Sequence, residues 1–231
     1  QRTRFMCLAG SYHGETIGAL SVGSMDLYAR IYKPMMMHNI HLEGLDCFRC
    51  SYGKTRETCD VECFASAEEA FAAHGEETVA VIVEPVLQGA AGMRIYPPLY
   101  LKRLRELCDR YGVLMIDDEI AAGFGRTGKF FAIEHAGVSP DILCTSKGLT
   151  AGYMPMSIAI TTEAIYQAFY DDYEKHKAFV HSHTYAGNPL GCVIALTVLR
   201  IMKRDHLLER VNVLGKELHE ELMKALGNHP H

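Results

Sequence analysis

The sequence predicts an α/β fold built on a mostly parallel sheet. Three observations predict it. Short apolar runs alternate with helical patterns along the chain. The runs are apolar at consecutive positions, as in strands covered on both faces. Each run then hands over to glycine, histidine, carboxylate or lysine, as strand ends facing a crevice do.

The first run is residues 5–9, FMCLA, followed by Gly10-Ser11-Tyr12-His13-Gly14. The second is 79–83, VAVIV, leading to Glu84-Pro85 and then Gln88-Gly89. Residues 97–112, PPLYLKRLRELCDRYG, come next. Leu101, Leu104, Leu107 and Cys108 fall on one helical face, with Lys, Arg and Glu on the other. Pro97 and Pro98 suit the entry of that crossover helix and Gly112 its exit. The third run is 113–116, VLMI, before Asp117-Asp118-Glu119. The fourth, 142–144, ILC, precedes Ser146-Lys147-Gly148, and 157–160, SIAI, reads as a fifth strand. A helix over 189–203 is apolar on most faces and is expected to be buried. A second, over 207–226, is amphipathic.

Composition narrows the function classes. The chain has 231 residues, 48% hydrophobic and 22% charged, enough for one sizeable core. A net charge of −5 without a basic run gives no support to nucleic-acid binding. No apolar stretch reaches membrane-span length, and no signal peptide is visible. The eight scattered cysteines read as reduced thiols, which points to a cytoplasmic protein. Both ends look like cuts through a longer protein. The chain opens on QRTRFMCLAG without a methionine and closes on ELMKALGNHPH just past a helix.

Parallel strands share one carboxyl edge, so Tyr12, His13, Glu84, Asp118 and Lys147 are expected to converge on one crevice. A partly desolvated lysine is a nucleophile toward carbonyls. Pyridoxal 5′-phosphate (PLP) uses such a lysine, together with a carboxylate that keeps its ring nitrogen protonated. Each residue also has an ordinary reading. Lys147 could be solvated, and Asp117, Asp118 and Glu119 could be loop carboxylates capping the next turn. Tyr12 could be a packed tyrosine, His13 a packed polar residue, and Glu84 a loop hydrogen-bonder.

At these residues the sequence resembles the class III PLP-dependent aminotransferases, which have fold type I. The resemblance rests on SYHGETIGALSVGS, VAVIVEPVLQGAAGM, the long segment VLMIDDEIAAGFGRTGKFFAIEHAGVSPDILCTSKGLTAGYMP, and SHTYAGNPLGC. These span residues 11–192 in the family's order. The long segment is the most specific.

The resemblance implies roles. Lys147 is the Schiff-base lysine and the base that moves the substrate proton. Asp118 pairs with the pyridinium nitrogen. Tyr12 stacks on one ring face and Ile120 packs on the other. His13 and Gly14 shape the pocket, and Glu84 supports the aspartate side. Thr184 reaches the phosphate of the other subunit's cofactor, so the site implies a homodimer. Residues 1–187 are then a PLP-binding large domain lacking its first part. Residues 188–231 begin a C-terminal small domain.

Relatives acting on ornithine or 4-aminobutyrate usually carry Glu at the position of Ala90 and Gln at that of Ala121. The small residues here are similar to the branch that aminates 8-amino-7-oxononanoate in biotin synthesis, with S-adenosylmethionine or lysine as donor. Another ω-amino acid or diamine is an alternative substrate. A remnant that only folds or dimerises is the non-enzyme alternative. Two family features are absent: a Gly-Ser-Glu-Ala phosphate loop, expected before residue 1, and an arginine for the substrate carboxylate, expected after residue 231. Separately, Cys47, Cys50, Cys59 and Cys63 have a spacing close to that of a tetrahedral zinc site. The alternative is that they pack as small hydrophobes.

Overall fold

A computed structural model describes residues 2–229. The strands are β1 (Arg4–Leu8), β2 (Ile40–Leu42), β3 (Thr78–Val83), β4 (Leu87–Gln88), β5 (Arg94–Ile95), β6 (Leu114–Asp118), β7 (Ile142–Thr145) and β8 (Ile158–Thr161). The helices are α1 (Ile17–Val22), α2 (Asp26–Ala29), α3 (Ala65–His74), α4 (Pro98–Tyr111), α5 (Glu163–Phe169), α6 (Pro189–Arg204) and α7 (Leu207–Leu226). Six strands form one sheet in the order β2-β1-β3-β6-β7-β8, and β4 and β5 make a separate small hairpin. All pairings in the large sheet are parallel except β7 with β8. The predicted α/β class and parallel sheet are therefore present, with an antiparallel edge strand at β8.

The consecutive apolar runs work as expected. Met6 aligns with Val81, and Val81 with Met115, so one row of side chains crosses three strands. That row is fully buried against Phe71 of α3 and Tyr100, Leu101 and Leu104 of α4. Burying each such side chain is worth roughly 1.5–3 kcal/mol. α4 stops where predicted. Gly112 takes φ +62°, a left-handed conformation that glycine adopts without a Cβ penalty. Val113 N–H then closes back on Cys108 O at 2.9 Å, which aims the chain into β6.

The start of β7 is pinned to β6 by Asp141. Its Oδ2 accepts Met115 N–H at 2.7 Å and the Arg105 guanidinium at 2.7 Å. This fixes the relative register of the two strands whose ends carry Asp118 and the lysine.

The expectation that the helix at 189–203 is buried fails. Only Gly191 and Ala195 of α6 are buried, while Leu190, Val193 and Leu196 are more than half exposed. Gly191 packs close to the Met156 sulfur, and Ile194, Val198, Leu199 and Met202 are half-buried, which leaves the remaining apolar face uncovered among the described residues. α7 is amphipathic as predicted and has no buried residue. Among the described residues, no helix is long and apolar enough to cross a membrane.

Candidate active site

Four parallel strands, β1, β3, β6 and β7, end at the same edge of the sheet. The chain leaving β1 runs across the end of β3. There the Glu84 carboxylate ties two loops together: Oε1 accepts Tyr12 N–H at 3.0 Å and Oε2 accepts Gly89 N–H at 2.9 Å. The Tyr96 hydroxyl donates to the Glu84 carbonyl at 2.5 Å. Burial pushes the Glu84 carboxyl above its ordinary range, and the two N–H donors oppose that rise.

This placement carries His13 over β3 to the end of β6. His13 Nδ1 lies 2.7 Å from Asp118 Oδ2, with the two side chains 2% and 6% exposed. An ionised carboxylate only accepts, so the imidazole donates. Ile120 N–H donates to Asp118 Oδ1 at 3.0 Å. Both oxygens are thereby oriented without a competing cation. The other ring nitrogen of His13, Nε2, is buried without a partner.

Lys147 lies beyond the next strand. Asp118 pairs with Cys144 in the sheet register, and Lys147 opens a short 3-10 turn, Lys147–Thr150, three residues on. Its φ is +43°, a conformation that costs a non-glycine residue about 1–2 kcal/mol. The side chain is exposed, and its amine has no hydrogen-bond or ion-pair partner among the described residues. Gly148 follows because the Phe124 ring packs onto it. A Cβ at position 148 would lie 2.7 Å from Phe124 Cβ and Cδ2. Phe124 was not singled out by sequence. Its signal is the pair of glycines that flank it, Gly123 and Gly125.

The structure thus brings Tyr12, His13, Gly14, Glu84, Asp118 and Ile120 to one place. The Tyr12 ring packs on Tyr28 at 5.1 Å, and its hydroxyl donates to Glu15. Gly14 takes φ +123°, and Ile120 is half-buried. Thr184 is exposed, and its side chain bonds to no described residue. Its neighbours His183 and Tyr185 line an open cavity of about 580 Å³ with Ser146, the residue before Lys147. The reading of Asp117, Asp118 and Glu119 as loop caps is corrected: the first two belong to β6, and all three are buried.

Cys47, Cys50, Cys59 and Cys63 line one narrow cleft with Tyr96 and Pro97. Burial, and then the neighbouring thiols, push Cys47 up and Cys63 up to about 11. Among the described residues, no group of three or more His, Cys, Asp or Glu is arranged to hold a metal ion.

Comparison with known proteins agrees with this geometry. The family model "Aminotransferase class-III" matches residues 1–231. The adenosylmethionine-8-amino-7-oxononanoate aminotransferase of Geobacter sulfurreducens is 43% identical over 223 residues, covering 96% of this chain and 49% of that protein. The crystal structure of the enzyme of the same name from Methanocaldococcus jannaschii superposes with a TM-score of 0.87 at 36% identity, over 96% of this chain and 49% of that one. An amine transaminase from an uncultivated Pseudomonas species, solved in its PLP-bound form, gives 0.88 at 36% identity, over 98% and 51%. The chain spans about half the length of the relatives it matches.

Proposed function

Because the chain belongs to the class III aminotransferases, we propose that it carries the cofactor-binding half of a PLP-dependent enzyme. The proposed reaction moves an amino group onto 8-amino-7-oxononanoate to give 7,8-diaminononanoate. The donor is S-adenosylmethionine or lysine. The relatives' names support this reading, as do the small residues Ala90 and Ala121. One observation carries it: a buried, oriented carboxylate at Asp118, one strand away from the unpaired amine of Lys147.

The residues present fit the cofactor. Asp118 presents a carboxyl group with both oxygens aligned, and His13 Nε2 and the Lys147 amine bond to no described residue. When bound, PLP supplies an aldehyde and an electron-withdrawing ring. Lys147 Nζ would hold it at its aldehyde, and the same amine would carry the proton at the amine-bearing carbon of the donor. Asp118 would keep the ring nitrogen protonated, its two oxygens already oriented by His13 and the Ile120 N–H. His13 orients Asp118, and Glu84 holds the loop that carries His13. Tyr12, Gly14 and Ile120 wall the ring, and Thr184 reaches the phosphate bound by a second copy in a homodimer. Residues 1–187 act as the cofactor domain, and 188–231 open the next one.

Lys147→Ala tests the assignment. It is expected to abolish both the visible absorption of bound PLP and amine transfer; retention of both in the variant would overturn the role. Single-turnover assays with S-adenosylmethionine and with lysine identify the donor. The similarity to an amine transaminase favours a second reading, a diamine or ω-amino acid substrate. Transfer to such amines' keto partners, without transfer to 8-amino-7-oxononanoate, selects it. A colourless protein that takes up no PLP selects the inactive remnant.

A further inference from the structure

Asp117 and Glu119 flank Asp118 in sequence and, by strand alternation, point to the opposite face of the sheet. Both residues are 0% exposed. Glu119 Oε1 accepts Ile133 N–H at 2.8 Å, which holds the turn Ala132–His135 against the strand end. The other three carboxyl oxygens, Asp117 Oδ1 and Oδ2 and Glu119 Oε2, are buried and have no hydrogen-bond donor among the described residues. The two side chains nevertheless meet each other.

Apart from the Ala132 and Ile133 N–H groups, which favour the anion of Glu119, the groups acting on the pair add negative charge or are neutral. Asp118 adds negative charge from the same strand, and Glu134 does so from the 132–135 turn. Tyr96, which follows β5, faces Asp117 as a neutral group whose ionised form would be anionic, and Cys144 of β7, beside Asp118, is neutral as well. Thr145 of β7, on the same sheet face, has a buried hydroxyl with no partner. No ion pair among the described residues includes Asp117 or Glu119. Two ionised carboxylates in contact there would repel, and each would leave buried oxygens without a donor. A single proton between them turns two acceptors into a donor and an acceptor.

We propose that Asp117 and Glu119 share one buried proton, carried by Asp117 and accepted by Glu119, and that this pair positions the charge of Asp118. The run of three carboxyl groups then carries two negative charges instead of three. A third charge would raise the proton affinity of Asp118 and weaken it as an anion. The shared proton rests on the burial of the two side chains and on their oxygens without donors, independently of the aminotransferase reading; its bearing on Asp118 rests on that reading. Burial first, and then Glu119, push Asp117 well above the ordinary carboxylate range, and burial also pushes Glu119 up. Folded values above unfolded ones mean that the pair's stabilisation is complete below the ordinary carboxylate range. It is lost as pH rises through the folded values.

Asp117→Asn supplies a permanent N–H donor of the same shape. The purified wild-type protein at neutral pH is expected to show the infrared carbonyl band of a protonated carboxylic acid. That band should shift when aspartate is isotope-labelled and vanish in the Asn variant. The wild-type denaturant midpoint should fall on the alkaline side, and the variant should show a smaller fall, the remainder coming from Glu84. Absence of the acid band from the wild-type protein overturns the proposal, even where the variant fails to fold; so does an unchanged alkaline fall in a folded variant. Neither readout needs PLP. A band without any amine transfer rejects the aminotransferase reading alone, and amine transfer without a band rejects the shared proton alone.

Discussion

His13 and Asp118, 105 residues apart in sequence, meet through a 2.7 Å hydrogen bond that solvent barely reaches. The bond fixes one carboxylate oxygen, while the Ile120 N–H fixes the other. Removing the charge and keeping the shape isolates what the charge does. Asp118→Asn is expected to lower kcat/KM for amine transfer by roughly 10²–10³ or more, the range for a lost preorganised charge. The circular dichroism spectrum and denaturant midpoint should change little. His13→Ala should cost less activity alone, and still less in the Asn background, because both act through one group. Equal activity of Asp118→Asn and wild type would remove Asp118 from the site.

Glu84 is a clamp between two loops whose protonation should show in stability. Its folded value lies above the ordinary one because burial outweighs the two N–H donors. A raised carboxyl contributes fully below the unfolded value, and the contribution is lost as pH rises through the folded value. Glu84→Gln cannot ionise. The wild-type protein should therefore be most stable relative to Glu84→Gln below the ordinary carboxylate range, with the gap shrinking as pH rises through the raised folded value. Urea midpoints of both proteins over that range measure it. A gap that widens with pH would mean that the donors win over burial.

The strands that carry the site were legible because burial on both faces writes them as unbroken apolar runs. β2 was not, since it is three residues long with an exposed His41 at its centre. The β4–β5 hairpin has two residues per strand and leaves no periodic trace. α3 is rich in alanine, and only Ala67 and Phe71 are buried, so its apolar stripe is thin. α6 was misjudged because composition reports how apolar a helix is, and not what covers it. At the site, strand ends located Glu84, Asp118 and Lys147. The bond from His13 to Asp118 passes over β3, and no local pattern records a contact between loops of non-adjacent strands. The carboxyls at 117 and 119 were visible, but their burial follows from packing against the 132–135 turn.

Gly148 and Phe124 couple the shape of the lysine turn to the segment after β6. Phe124 has φ +59° and packs edge-on against Phe130 at 5.4 Å and Phe131 at 6.1 Å, so its ring cannot swing away freely. A methyl at 148 would meet Phe124 Cβ, which is fixed by the backbone, as well as the ring. Relief then requires moving the backbone that presents Lys147. Gly148→Ala is expected to cost roughly 1–3 kcal/mol, the range for overpacking, and to lower amine transfer. Phe124→Ala should restore little, because Cβ remains. Phe124→Gly in the Gly148→Ala background should recover the activity lost at the turn while forfeiting the aromatic packing. Unfolding midpoints and single-turnover rates for the three variants separate the two effects. Purely additive losses across the pair would mean that the turn does not depend on this contact, and that the glycine beside Lys147 serves another purpose.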